Sequence, residues 1–167
     1  MHLLHPHPLS GRRVLNQLDV QFERQGALLW LRFTAEGDVG EIAWPAEQGT
    51  GRADELWKHT CFEAFVQTDD GYYEYNLSPS SRWATYRFTD YREGMRPADE
   101  VVVIDGLDGA SDMVALEAKI QLPPGARRLG LSAVIEATDG SVSYWAVAHP
   151  SDKPDFHHPD SFVLELP

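Results

Sequence analysis

The chain is predicted to be all-β: a single-domain antiparallel β-sandwich of jelly-roll type with about ten strands. Three observations predict it. Short runs rich in Val, Ile, Thr, Tyr, Phe and Trp recur along the whole length, separated at short intervals by Gly, Pro, Asp, Asn and Ser. Only Ala53–Lys58 and Pro124–Arg128 hint at a helical turn, and neither is long enough for an amphipathic helix. Finally, 167 residues, 43% of them hydrophobic and 24% charged, suit one domain (residues 1–167) with a real core.

The first dozen residues, with His2, His5 and His7 set among prolines, read as a surface tail. Strands are expected at Leu18–Phe22, at Ala27–Phe33 with Trp30 in the core, and at Val39–Trp44 before Pro45. Three closely spaced strands follow at Thr60–Gln67, Tyr72–Ser78 and Trp83–Phe88. Aspartates and Gly71 separate the first pair, and Ser78-Pro79-Ser80-Ser81 the second. Further strands are expected at Glu100–Ile104, Met113–Gln121, Leu129–Ala137, Val142–His149 and Ser161–Leu166. Asp139-Gly140 signals a two-residue hairpin with positive φ at both central positions. A Pro/His/Asp-rich connection runs from Pro150 to Asp160.

Charge narrows the partners. With 26 acidic against 14 basic residues the net charge is −12, and no Lys/Arg stripe overrides that field. Nucleic acid and anionic membrane surfaces are therefore not expected as partners. No window reaches the roughly 18 apolar residues of a membrane span. Prolines and histidines break the N-terminal apolar run, so it does not read as a signal peptide. A single cysteine excludes an intrachain disulfide. A soluble, cytoplasmic protein is expected.

The segment Trp57–Phe88 carries the most chemistry. Alternate residues of a strand face opposite ways, so its strands can be sorted by parity. One set (Phe62, Ala64, Val66; Tyr73, Tyr75, Leu77; Ala84, Tyr86, Phe88) reads as a core face. The other (Cys61, Glu63, Phe65; Tyr72, Glu74, Asn76; Trp83, Thr85, Arg87) mixes carboxylates, an amide and a guanidinium with large aromatics. Whether the first turn centres on Asp69-Asp70 or Asp70-Gly71, Glu63 shares a face with Glu74 and Asn76. Trp83 and Arg87 join that face because Ala84, Tyr86 and Phe88 are apolar. Such a surface suits a sugar: aromatics stack on the ring while carboxylate, amide and guanidinium groups bind its hydroxyls. It equally suits an outer sheet face with a carboxylate–Arg87 ion pair.

Other clusters have plainer readings. Trp57, His59, Cys61 and Glu63 lie two apart, but neighbours in such a row stand roughly 6.5–7 Å apart, and a metal or a Cys–His dyad would need groups from elsewhere. Cys61 therefore reads as a buried structural thiol. His149, Asp155, His157 and His158 supply ligand types for a divalent metal, and the prolines among them suit an ordered loop as well. On the late strand, apolar Val142 and Ala148 favour Tyr144 as the inward residue and leave Trp145 on the polar side.

The run ELWKHTCFEAFV…YYEYNLSPSSRWATYRF, with the late PDFHHPDSFVLEL, resembles DOMON-like bacterial proteins, which are related to carbohydrate-binding module family 9. The resemblance implies an immunoglobulin-like or jelly-roll sandwich and a ligand-binding role, in a superfamily with sugar-binding and haem-binding members. It implies sugar-stacking roles for Trp57 and Trp145, and hydroxyl contacts from Arg87. None of Met1, Met95 and Met113 matches a haem axial ligand.

The sequence thus points to a non-catalytic domain binding a small molecule, a sugar or sugar-like polyol, through Trp57, Glu63, Glu74, Asn76, Trp83, Arg87 and Trp145, with no cofactor. The alternatives are a metal or haem protein, a glycoside-acting enzyme using Glu63 and Glu74 as a carboxyl pair ~5–9.5 Å apart, and a module docking a protein partner.

Overall fold

The computed structural model describes residues 1–167 and contains thirteen β-strands, three short 3-10 turns and no α-helix. The strands are β1 (His2–Pro6), β2 (Leu15–Gln25), β3 (Leu28–Gly37), β4 (Gly51–Arg52), β5 (Cys61–Thr68), β6 (Gly71–Leu77), β7 (Arg82–Phe88), β8 (Arg96–Pro97), β9 (Val102–Ala110), β10 (Met113–Gln121), β11 (Arg128–Glu136), β12 (Val142–Ala146) and β13 (Leu164–Glu165). All belong to one hydrogen-bonded sheet in the order β4-β7-β6-β5-β11-β12-β1-β2-β3-β10-β9, with β8 attached to β7 and β13 to β11. Every pairing is antiparallel except β4 with β7. The all-β expectation holds, as one curled mixed sheet forming a half-barrel.

Both halves of this sheet turn one face into a shared core. Leu18 and Val20 on β2, and Leu29, Leu31 and Phe33 on β3, meet Phe62, Ala64, Val66, Leu131 and Ala133 from the other half. The rings of Phe33 and Phe62 lie 5.0 Å apart across it. Along β3 buried and less buried residues alternate, as expected of a strand with one face on the core. β5 differs: Cys61–Val66 are buried on both faces. A strand covered on both sides reads as a continuous apolar run, and its cover is described below.

Several expectations change. The N-terminal histidines are not a tail, because β1 is the seam of the sheet. Its first three residues pair with Leu18–Val20 of β2, and His5 and Pro6 pair with Ala146 and Trp145 of β12. Val39–Trp44 is not a strand; it makes a 3-10 turn over Val39–Glu41 and a single bridge from Ile42 to Ala137. The Trp44 indole N–H, donating to Val39 O at 2.9 Å, folds this stretch back on itself. The Asp139-Gly140 hairpin forms, but only Gly140 has positive φ (86°). Ala137 O accepts from Gly140 N and Ala137 N donates to Ser141 O, giving the longer loop closed by a glycine bulge. At the C-terminal end, Ser161–Leu166 shrinks to a 3-10 turn and the two residues of β13.

Candidate binding cleft

The β5–β6 turn centres on Asp69-Asp70, with Thr68 opposite Gly71. Gly71 adopts φ 139°, and a Cβ there would lie 2.0 Å from Phe88 O, so only glycine fits. This register places Glu63 opposite Asn76 on β6 and opposite Ser132 on β11, with Glu74 opposite Phe65. Cross-strand partners share a face, so Glu63, Glu74 and Asn76 lie together as the sequence indicated.

The third strand is reversed. Leu77 pairs with Trp83 and Tyr73 with Arg87, which sends Trp83, Thr85 and Arg87 to the inner face and Ala84, Tyr86 and Phe88 to the face of Glu74. Trp83 is 6% exposed within the core, with the Arg52 guanidinium 4.4 Å from its ring centre. The Arg87 guanidinium sits 5.8 Å from the Tyr73 ring, on the far side of the sheet from Glu63. Neither residue lies on the face of Glu63 and Glu74, and no carboxylate–Arg87 pair forms. Trp145 is corrected likewise. It pairs with Ala133, which pairs with Phe62, so it points into the core, 2% exposed, its indole N–H donating to Ser143 Oγ at 2.9 Å. Tyr144 takes the outer position.

The outer face of β5, β6 and β7 is partly roofed by the 147–163 segment. Phe162 stacks on Phe65 at 6.0 Å, and Tyr72 on Phe88 at 4.7 Å. His157 stands edge-on against Phe65 at 5.0 Å and against Phe88 at 5.1 Å. Phe65, Tyr72, Ala84, Tyr86, Phe88 and Phe162 make a second small core. This is the cover over β5. The Arg92–Asp155 ion pair (2.8 Å) and the Tyr91 hydroxyl, which donates to Asp155, tie the roof to the loop after β7.

Beside the roof the face opens into a cleft of about 880 Å³. Its floor carries Glu63 and Glu74. Its apolar walls are Trp57, Phe88, Val134, Val142, Tyr144 and Phe156, and Lys58, Arg92 and Lys153 stand at its sides. Trp57 is held on the 3-10 turn Leu56–Lys58, 37% exposed and edge-on to Tyr86 at 6.3 Å. Asn76, fully buried, shares the face but does not reach the cleft surface. Sequence reasoning missed Tyr144, Phe156 and the part played by His157.

The floor is electrostatically unusual. Glu63 is 3% exposed, and burial first, then the charge of Glu74, push its carboxyl well above the usual carboxylate range. Of the two, only Glu74 has a hydrogen-bonding or ion-pair partner, His157 Nε2 at 3.2 Å. His157 Nδ1 lies 2.8 Å from the Tyr72 hydroxyl, which also accepts the Arg92 backbone N–H at 3.1 Å. Tyr72, His157 and Glu74 thus form one hydrogen-bonded chain, in which the Tyr72 hydroxyl can donate to Nδ1 while Nε2 faces the carboxylate. Burial drives the Tyr72 hydroxyl up to about 12.

The remaining candidates do not converge. Cys61 is a buried thiol directed at the carbonyls of Phe62 and Leu77, with its pKa raised by burial and then by Glu63. His59 turns away from it to Glu136, 3.1 Å distant. His149 meets the His5 carbonyl, Asp155 holds Arg92, and His158 faces Asp160. No three His, Cys, Asp or Glu side chains come together as metal ligands. Met95 and His157 both line the cleft. An axial haem ligand needs a free ring nitrogen, however, and His157 has both facing partners, so these residues do not fit haem.

No helix is long and apolar enough to cross a membrane. No protein-family model matches the chain, and no curated protein matches it. Among solved structures it is similar to a protein of Bacteroides uniformis ATCC 8492 described as "a putative carbohydrate-binding protein". The TM-score is 0.55 at 15% identity, over 95% of this chain and 84% of that one. At that identity the likeness concerns the fold.

Proposed function

We propose that this chain is a non-catalytic binding domain for a sugar or sugar-like polyol, held between Trp57 and Tyr144 over Glu63 and Glu74. One observation carries the reading: an open cleft whose walls are aromatic and whose floor offers a carboxyl group without a protein partner. Rings stack on the apolar faces of a pyranose while floor groups take its hydroxyls. A volume of about 880 Å³ falls in the range of roughly 300–1,000 Å³ usual for small-molecule sites. The description of the Bacteroides uniformis protein agrees with such a ligand. On the same reading the curled sheet is a single-domain sandwich of the DOMON-like kind, working in the cytoplasm. Each net hydrogen bond adds only ~0.5–1.5 kcal/mol, so affinity is modest.

Isothermal titration against a panel of neutral mono- and disaccharides tests this. The expected result is binding that weakens about tenfold or more in Trp57→Ala, a loss of ~1.4 kcal/mol or more, while Trp83→Phe binds normally. Heat from no sugar, or unchanged affinity in Trp57→Ala, overturns it. The raised Glu63 carboxyl beside Glu74 also fits a general acid with its partner. Turnover of an aryl glycoside that disappears in Glu63→Gln would establish that enzymatic reading instead.

A further inference from the structure

No lysine or arginine pairs with the floor of the cleft. Glu63 and Glu74 are diagonal neighbours on adjacent strands, both buried. No lysine or arginine is committed to them. Lys58 at the cleft's side pairs with Glu55 at 3.1 Å, and Arg92 with Asp155 at 2.8 Å. Lys153 stands on the roof segment without an ion pair, and His157 Nε2 reaches Glu74 alone, at 3.2 Å, while its Nδ1 meets the Tyr72 hydroxyl. Cys61, on the same strand face, adds no positive charge. Two adjacent buried carboxyls without a cation cannot both be ionised at ordinary cost.

The groups flanking Glu63 in the sheet share its incompleteness. Asn76 and Ser132 oppose it on either side, 0% and 2% exposed, and Asn76 Oδ1, Asn76 Nδ2 and Ser132 Oγ are all without a hydrogen-bond partner. They lie beneath the cleft surface, so the sheet gives Glu63 no partner and a ligand in the cleft meets the carboxyls alone. Acceptors predominate in this row, because Glu63 contributes two carboxylate oxygens and Glu74 a second one beyond the oxygen facing His157. A neutral hydroxyl would supply one donor and no charge, so the two carboxyls still could not both ionise at ordinary cost. An alkylammonium group supplies three donors and a full positive charge, in a cleft whose aromatic walls also favour cations.

We propose that the cleft selects a ligand bearing a protonated primary amine, an amino sugar in particular, with the ammonium seated on Glu63 and Glu74. The amino-sugar form rests on the polyol reading above; the ammonium seat stands on the floor alone. Seating the cation favours the ionised form of Glu63, against the direction in which burial and Glu74 push it, so binding draws proton off the floor into the buffer.

Isothermal titration of the full chain with D-glucosamine, D-glucose, N-acetyl-D-glucosamine and cyclohexylamine, in two buffers of different ionisation heat, tests this. The expected result is glucosamine binding about tenfold or more tighter than glucose and N-acetylglucosamine. Proton release should accompany the amines alone, and Glu63→Gln should abolish both the preference and the release. Equal affinity for glucose and glucosamine overturns this inference and leaves the polyol reading intact. Binding of cyclohexylamine and of no sugar sustains the ammonium seat and overturns the polyol reading. Silence from all four overturns both.

Discussion

Replacing Glu63 by Gln should stabilise this protein at neutral pH, and by an amount that grows with pH. The unfolded carboxyl titrates near 4.5, whereas burial and Glu74 hold the folded one well above that. Between the two values the folded chain keeps a proton that the unfolded chain has released. Stability from Glu63 is therefore fully present below about pH 4.5, declines as pH rises, and is gone once pH passes the folded value. The slope for one proton is about 1.4 kcal/mol per pH unit. Gln keeps the volume and does not titrate. The unfolding free energy of Glu63→Gln minus that of the wild type should thus rise by up to about 1.4 kcal/mol for each pH unit above about 4.5, until pH passes the folded value. Titrations that Glu63 does not touch cancel in the difference; its coupling to Glu74 makes the measured slope a property of the pair. Urea unfolding followed by tryptophan fluorescence at several pH values supplies the numbers. A difference that stays flat, or falls as pH rises, refutes the placement of Glu63 as a buried carboxyl without a partner.

Two more outcomes follow from burial. Trp145→Ala should cost ~3–5 kcal/mol of stability by emptying a fully packed site, whereas half-exposed Trp57→Ala should cost under ~1 kcal/mol. Urea midpoints compare them, and similar losses would contradict the core placement of Trp145. The Cys61 thiol, buried and held protonated, should resist a thiolate-selective disulfide reagent in the native state and react at the rate of unfolding; stoichiometric labelling of the folded protein within seconds would contradict its position.

The sequence showed the strands more clearly than it showed their sides. Parity works where one face is wet, as on β3, and it placed Glu63, Glu74 and Asn76 together because a hairpin register ties them. It failed at β7, where both faces are covered, and at β12, whose outer face carries the cleft walls Val142 and Tyr144. Ala84, Tyr86 and Phe88 are apolar because they pack under Phe162 and His157, not because they face the main core. Trp83 and Trp145 look inward for the ordinary reason that they are large and apolar. Nothing local announces that a loop seventy residues on will cover a sheet face, so the second core and the contribution of His157 were hidden. The strand at His2–Pro6 was missed for a related reason: its partners are supplied by distant chain, and its own prolines and histidines argue against a strand.

That seam bears on how the fold assembles. β1 makes two ladder pairs with β12 and three with β2, and just beyond it His7 Nε2 meets Ser151 O across 144 positions of sequence. Joining the halves closes a loop of nearly the whole chain, and contacts of such long range slow folding because their closure entropy is met before they return any stability. The residues of β1 can therefore engage their β12 partners only after all the intervening strands have been made, and until then one edge of each half stands unpaired.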